Sequence, residues 1–78
     1  MKVLVRRKHI REGNPNDAKR CPIALALREM GFSDPAVNHQ DIEFSRQLKA
    51  ELPGVAQKFI MKFDNFEKVK PFSFLLRV

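Results

Sequence analysis

Apolar residues recur at helical spacing between Pro22 and Met30. They fall at i, i+3, i+4 and i+7, and further apolar positions widen the stripe over most of the helix circumference. A helix with so wide an apolar surface is largely buried. Pro22 suits the first helical position, where no backbone N–H is needed, and Gly31 suits the residue just after the helix. The pattern therefore predicts a buried helix with both of its boundaries defined.

A second helical pattern lies between Pro53 and Asn65. We predict that Leu48–Leu52 leads into this helix, that Pro53 begins it and that Asn65 ends it. One face carries the apolar residues Leu52, Val55, Ala56, Phe59, Ile60 and Phe63. The opposite face is polar, which is typical of a helix that packs one side on a core.

Alternating apolar and polar residues predict a strand near each end of the chain, at Lys2–Arg6 and at Pro71–Val78. Between the two helices, Val37–Phe44 predicts one or two short strands. His9–Gly13 has the length of one helical turn that ends at its glycine. Asn14–Asp17 is typical of a turn, because proline fixes φ and Asn and Asp side chains bond nearby backbone.

The predicted order is strand, helix, one or two strands, helix and strand. Two helices that each bury an apolar stripe must lie on a sheet, so we predict an α+β fold. It is expected to be a small two-layer domain, with two helices packed on a short antiparallel or mixed sheet. We expect residues 1–78 to form a single domain, because a chain of this length holds one core. The two terminal strands are expected to be neighbours.

Positive charge is concentrated in residues 1–20. They hold seven basic and two acidic side chains, a net charge of +5, whereas residues 21–78 hold eight basic and seven acidic ones. We predict a basic binding face, whose last two members are brought near the others by the turn: Arg6, Arg7, Lys8, Arg11, Lys19 and Arg20. Such a face favours an anionic partner. The alternative is that the charge serves solubility alone.

The helix that starts at Cys21-Pro22 belongs to a wider pattern. Its parts are Asp17, Cys21–Leu27, Phe59-Ile60, Phe63-Asp64 and Pro71–Phe74, and His9-Ile10 with Gly13 also fits. This pattern resembles a group of small phage and prophage proteins that share a Cys-Pro-Ile/Val-Ala-x-Ala-Leu helix start. Members often carry a second cysteine three residues before the first, and Ala18 stands there in this chain. The resemblance implies a viral or mobile-element accessory protein, and it carries no catalytic residues over.

Cys21 is the residue with the clearest candidate chemistry. A thiol at the first turn of a helix, beside Lys19 and Arg20, can be stabilised as a thiolate. A nucleophile also needs a positioned base, and no spacing rule places His9 or His39 beside it. A small buried residue at the helix start is the simpler interpretation. We therefore predict no enzyme activity, with a thiol-dependent enzyme as the alternative.

Neither a metal nor a cofactor is indicated. Zinc sites use paired Cys or His ligands at short spacing, and the one cysteine and two histidines of this chain are far apart in sequence. Asp41 and Glu43 lie two residues apart and would share one face of a strand, which makes an acidic edge without an acid/base partner. Three isolated glycines do not form a phosphate-binding loop.

Two classes of macromolecule fit the basic face. An acidic protein surface of a host or a phage is favoured, because Trp and Tyr are absent and the chain offers no evident platform for stacking bases. The alternative is a nucleic-acid backbone, held electrostatically and with little specificity. A homodimer in which two chains pair along an exposed strand edge is a further alternative.

A membrane partner is not expected, because no apolar run approaches the roughly 18 residues that cross a bilayer. The first ten residues are too short, and charged on the wrong side, for a signal peptide. One cysteine excludes an internal disulfide framework and fits a reducing compartment. We therefore expect the protein in the cytoplasm.

Overall fold

The fold contains three helices and five strands within residues 1–44 and 48–77, the part of the chain that the computed structural model describes. The elements are β1 (Lys2–Val5), α1 (Arg7–Glu12), α2 (Pro22–Glu29), β2 (Ala36–Val37), β3 (Asp41–Glu43), β4 (Lys49–Glu51), α3 (Gly54–Asp64) and β5 (Phe72–Leu75). The predicted α+β class is confirmed.

The strands divide between two antiparallel sheets, where one sheet was expected. β1 pairs with β5, with Val3 opposite Phe74 and Val5 opposite Phe72. The predicted neighbourhood of the terminal strands is therefore confirmed. β2, β3 and β4 form a second sheet in that order. Val37–Phe44 supplies two of its strands, as one of the two expected arrangements requires.

Helix α2 lies at the centre of the fold, in contact with α1, β1 and β2. Ile23, Ala24 and Leu27 have no exposed surface, and Val3 and Val5 of β1 are equally buried. Burying one aliphatic side chain of this size contributes roughly 1.5–3 kcal/mol. The wide apolar stripe of α2 is therefore satisfied by neighbours on several sides, which explains why so little of this helix is polar.

Both ends of α2 match the sequence signals. The helix begins at Pro22, and the Sγ atom of Cys21 accepts a hydrogen bond from the backbone N–H of Ala24 at 3.4 Å. At the other end Gly31 has φ +109°, a conformation that side chains with a Cβ disfavour. The backbone N–H of Phe32 then donates to the carbonyl of Leu27 at 3.2 Å, which closes the last turn.

Helix α1 starts at Arg7, two residues before the helical turn that was predicted at His9–Gly13. The backbone N–H of Arg6 donates to Nδ1 of His9 at 2.9 Å, and the backbone N–H of His9 donates to the carbonyl of Arg6 at 3.0 Å. Because His9 is buried, its hydrogen bond with the backbone of Arg6 fixes the first turn of α1 against the core. Because Nδ1 accepts, the ring hydrogen lies on Nε2, which faces Glu29.

Leu48–Leu52 leads into a helix after Pro53 as predicted, but its residues Lys49–Glu51 form a strand, β4, that the sequence pattern did not predict. Ala50 faces the core opposite Ile42 of β3, and the Nζ atom of Lys49 lies 3.5 Å from a carboxylate oxygen of Glu43 on that strand. Pairing with β3 overrides the helical propensity of this segment. The helix itself follows Pro53 and ends before Asn65, as expected.

A methyl group at Gly13 has no room. An ideal Cβ there would lie 2.8 Å from Cδ of Pro22 and 2.9 Å from the carbonyl oxygen of His9. We expect Gly13→Ala to lower the free energy of unfolding by about 1–3 kcal/mol in urea denaturation. Gly54→Ala is the matched control, because its Cβ would meet nothing within 4 Å, and it should leave stability unchanged or slightly higher. Equal effects of the two substitutions would contradict this account of the α1–α2 junction.

Candidate functional site

The six basic residues predicted as a binding face are all exposed, and we call them the N-terminal basic face: Arg6, Arg7, Lys8, Arg11, Lys19 and Arg20. The first four lie at the start of α1 and along it, and the last two lie on the loop before α2. The backbone N–H of Asn14 donates to the carbonyl of Arg20 at 2.9 Å, so this loop closes on itself.

Glu29 lies beside this face, and its carboxylate contacts three nearby side chains. Its carboxylate oxygens are 2.5 Å from Nζ of Lys8, 3.3 Å from Nε2 of His9 and 3.6 Å from Nη1 of Arg6. The hydrogen bond from Lys8, followed by that from His9, lowers the pKa of Glu29 below its ordinary value, although partial burial opposes the shift. A negative charge is therefore built into the face at neutral pH.

Other carboxylates divide the remaining cations into paired and unpaired groups. Asp34 binds Nζ of Lys19 at 2.7 Å, which lowers the pKa of that carboxyl, and Glu12 lies 3.9 Å from Nη2 of Arg11. Arg7 and Arg20 form no ion pair within residues 1–44 and 48–77. The face is thus a surface of mixed charge with a positive excess.

Cys21 is one of the residues that line a groove of about 510 Å³ between the α1–α2 loop, the β2–β3 turn and α3. His39 and Asp64 line the same groove, with Nε2 of His39 2.8 Å from a carboxylate oxygen of Asp64. The other oxygen of Asp64 accepts the backbone N–H of Asn16 at 2.8 Å, and the amide of Asn16 donates to the Asp64 carbonyl at 3.0 Å. These bonds hold the loop on the end of α3.

The thiol of Cys21 is not prepared for nucleophilic attack, although a histidine and a carboxylate share its groove. Only 2% of Cys21 is exposed, and burial raises the pKa of its thiol to about 11, against the opposing hydrogen bonds from Ala24 and Ile23. At neutral pH the side chain is therefore a protonated thiol. Its hydrogen bond at the start of α2 gives it a structural role.

Among the described residues, no group of three or more His, Cys, Asp or Glu side chains is arranged to hold a metal ion. No helix there is both long and apolar enough to cross a membrane. Asp41, read as part of an acidic edge, instead accepts a hydrogen bond from the side-chain amide of Asn38 at 2.6 Å in the β2–β3 turn. Glu43 forms the cross-strand ion pair with Lys49 described above.

A second basic surface was not predicted. A groove of about 360 Å³ runs between α3 and the segment before β5, and we call it the lysine groove; its rim carries Lys58, Lys62, Lys68 and Lys70. Its floor is formed by Phe59, Val69 and Phe72. The helical spacing of Lys58 and Lys62 was a usable signal. It was hidden because Asp64 and Glu67, which lie close in sequence, reduce the charge of residues 58–70 from four lysines to a net +2.

Comparison with known proteins gave no match: no family model, no curated protein and no solved structure is similar to this chain.

We expect the ion pairs of Glu29 to stabilise the fold at neutral pH and to be lost in acid. The pKa of Glu29 is lowered from 4.5 in the folded chain, so the unfolded chain takes up the proton first as the pH falls. The contribution is fully present above about pH 4.5 and disappears as the pH falls through the lower folded pKa. Unfolding free energies of wild type and Glu29→Gln, measured from neutral pH downwards, should therefore converge in acid.

Glu51→Gln is the control for that measurement, because Glu51 is exposed and forms no ion pair with the described residues. It removes the same charge without breaking the contacts to Lys8 and His9. A Glu29→Gln curve parallel to wild type at every pH would show that these ion pairs contribute nothing to stability.

Burial of Cys21 predicts slow reaction with Ellman's reagent at neutral pH, with a large acceleration after unfolding in urea. Cys21→Ser should leave any binding activity unchanged, because the thiol reaches no exposed surface of the N-terminal basic face. Native Cys21 that reacts as fast as free cysteine, or an activity lost in Cys21→Ser without a change in melting temperature, would support a thiol-dependent enzyme instead.

Proposed function

We propose that this chain is a non-enzymatic accessory protein of phage or mobile-element type that binds an acidic protein surface of the host or the phage through its N-terminal basic face. The observation that carries the proposal is the concentration of six exposed cations on α1 and one closed loop, with Arg7 and Arg20 unpaired among the described residues. Its unpaired cysteine suits a cytoplasmic location.

The carboxylates within the face favour a protein over a nucleic acid. Glu12, Glu29 and Asp34 alternate with the cations, and a phosphate backbone would be repelled by each of them. A protein surface carries donors as well as acceptors, so it can satisfy both signs of charge. The face also contains no aromatic side chain on which a base could stack.

The closed loop adds a second reason for a defined partner. Asn14 bonds to Arg20, Asn16 bonds to Asp64, and the backbone N–H of Val37 donates to the carbonyl of Ala18 at 2.9 Å. Lys19 and Arg20 are therefore carried on backbone that is fixed to α3 and β2. Cations held in one geometry lose less entropy on binding than cations on a free loop.

A homodimer through a strand edge is a second arrangement that one observation favours. β1 and β5 each have one partner strand among the described residues, and Leu4 and Leu75 on them are 47% and 70% exposed. An unpaired edge can accept another chain. Molar mass by light scattering during gel filtration separates a monomer from this dimer.

The proposal is tested with fluorescence anisotropy at several salt concentrations, using labelled poly-glutamate as the acidic protein probe and random double-stranded DNA for comparison. Replacing Arg6, Arg7, Lys8 and Arg11 with Gln should weaken poly-glutamate binding about tenfold or more, because each exposed charge pair contributes roughly 0.2–1 kcal/mol. The fold should persist with some loss of stability, since all four side chains are exposed and only their surface ion pairs with Glu29 and Glu12 are removed.

The control removes positive charge away from both basic surfaces, by replacing Lys2, Lys49 and Arg77 with Gln. If the two variants lose poly-glutamate affinity equally per charge removed, the effect is net charge and the N-terminal basic face is not the site. Tighter binding to DNA than to poly-glutamate, with a steep loss in salt, would replace the protein partner by a nucleic acid.

A further inference from the structure

We infer that the lysine groove is a second binding site, for an acidic peptide segment that carries an aliphatic side chain. This inference concerns a different surface from the N-terminal basic face and does not depend on the proposed function. It rests on three observations: the positive charge of the rim, the packing of the aromatic rings against one another and the apolar surface of the floor.

The rim of the groove carries four lysines that are not ion-paired among the described residues. Lys58, Lys62, Lys68 and Lys70 are exposed, and they form no ion pair within residues 1–44 and 48–77. Asp64 and Glu67 line a neighbouring depression with Lys58 and Lys62, but their carboxylates accept hydrogen bonds from other groups: Asp64 contacts His39 and Asn16, and Glu67 contacts Asn65. Unpaired ammonium groups on both sides of one groove are complementary to an occupant with several carboxylates or phosphates.

The aromatic floor distinguishes between these two occupants. Phe59 stacks on Phe72 with ring centroids 4.4 Å apart, and Phe63 lies parallel to Phe59 at 6.3 Å. Phe72 in turn has Phe74 at 5.6 Å. Phe59 and Phe72 therefore pack against other rings, and Phe59 is only 7% exposed. A nucleobase needs an open ring face, so the buried Phe59 offers a nucleic acid no stacking surface.

What the floor does offer is apolar surface of the size of a side chain. Val69 joins the two rings at the bottom of the groove, and Val55, which is 56% exposed, extends the apolar surface along α3. An aliphatic side chain gains by covering this surface, while flanking carboxylates reach the ammonium groups on the rim. An acidic peptide with an aliphatic residue meets both requirements.

The test uses fluorescence anisotropy with two labelled peptides, one of alternating Glu and Leu and one of alternating Glu and Ser. The Glu/Leu peptide should bind about fivefold or more tightly than the Glu/Ser peptide, since the leucines cover apolar surface. Replacing Lys58, Lys62 and Lys68 with Gln should weaken its binding about fivefold or more. Val55→Ser should remove the preference for leucine, and the exposure of Val55 makes the fold tolerant of the change.

Replacing Lys2, Lys49 and Arg77 with Gln is the control, because it removes the same charge away from the groove. Equal affinity for the two peptides, equal losses in the two triple variants, or tighter binding of a single-stranded oligonucleotide than of the Glu/Leu peptide would each overturn the inference. Loss of poly-glutamate binding in the Arg6, Arg7, Lys8 and Arg11 variant leaves this result untouched, so the two proposals fail separately.

Discussion

The burial of α2 is the constraint on which the rest of the structure depends. Its apolar circumference contacts α1, β1 and β2, and Ile23 and Leu27 have no exposed surface. The few polar residues of the helix are therefore forced to its C-terminal end, where Glu29 lies beside α1 and binds Lys8 and His9. The charge pattern of the N-terminal surface is therefore a consequence of packing. Glu29 lies at the exposed end of α2 because the preceding turns of the helix are buried.

The parts of the fold that sequence patterns could predict are those with strong local signals. Pro22 and Gly31 define α2 through backbone geometry alone, and the alternation around Phe74 defines β5. β4 could not be predicted, because three residues with one buried position, Ala50, show no period, and only its pairing with β3 makes it a strand. The division into two sheets likewise depends on long-range pairing that no local pattern contains.

The same distinction applies to the candidate sites. The basic residues of the N-terminal face are close in sequence, so their clustering was visible in the chain. Their pairing with Glu29 and Asp34 was not, because these carboxylates approach only through the docking of α2 and the turn that follows it. The lysine groove was missed for a related reason. Net charge averages over all directions, whereas the carboxylate of Asp64 contacts His39 and forms no ion pair with a lysine among the described residues.

Pairing of β1 with β5 also fixes the order in which the chain can assemble. Val3 lies opposite Phe74, so the sheet joins residues from almost opposite ends of the described chain. Closing a loop of about 70 residues costs roughly 4 kcal/mol of chain entropy, and this cost is recovered only after local contacts have formed. On the ribosome β1 emerges before β5, so it has no ladder partner until β5 has been made. Among the described strands β1 is therefore one of the last to acquire its native hydrogen bonds, and Val3 and Val5 lack their cross-strand neighbours until synthesis has passed Leu75.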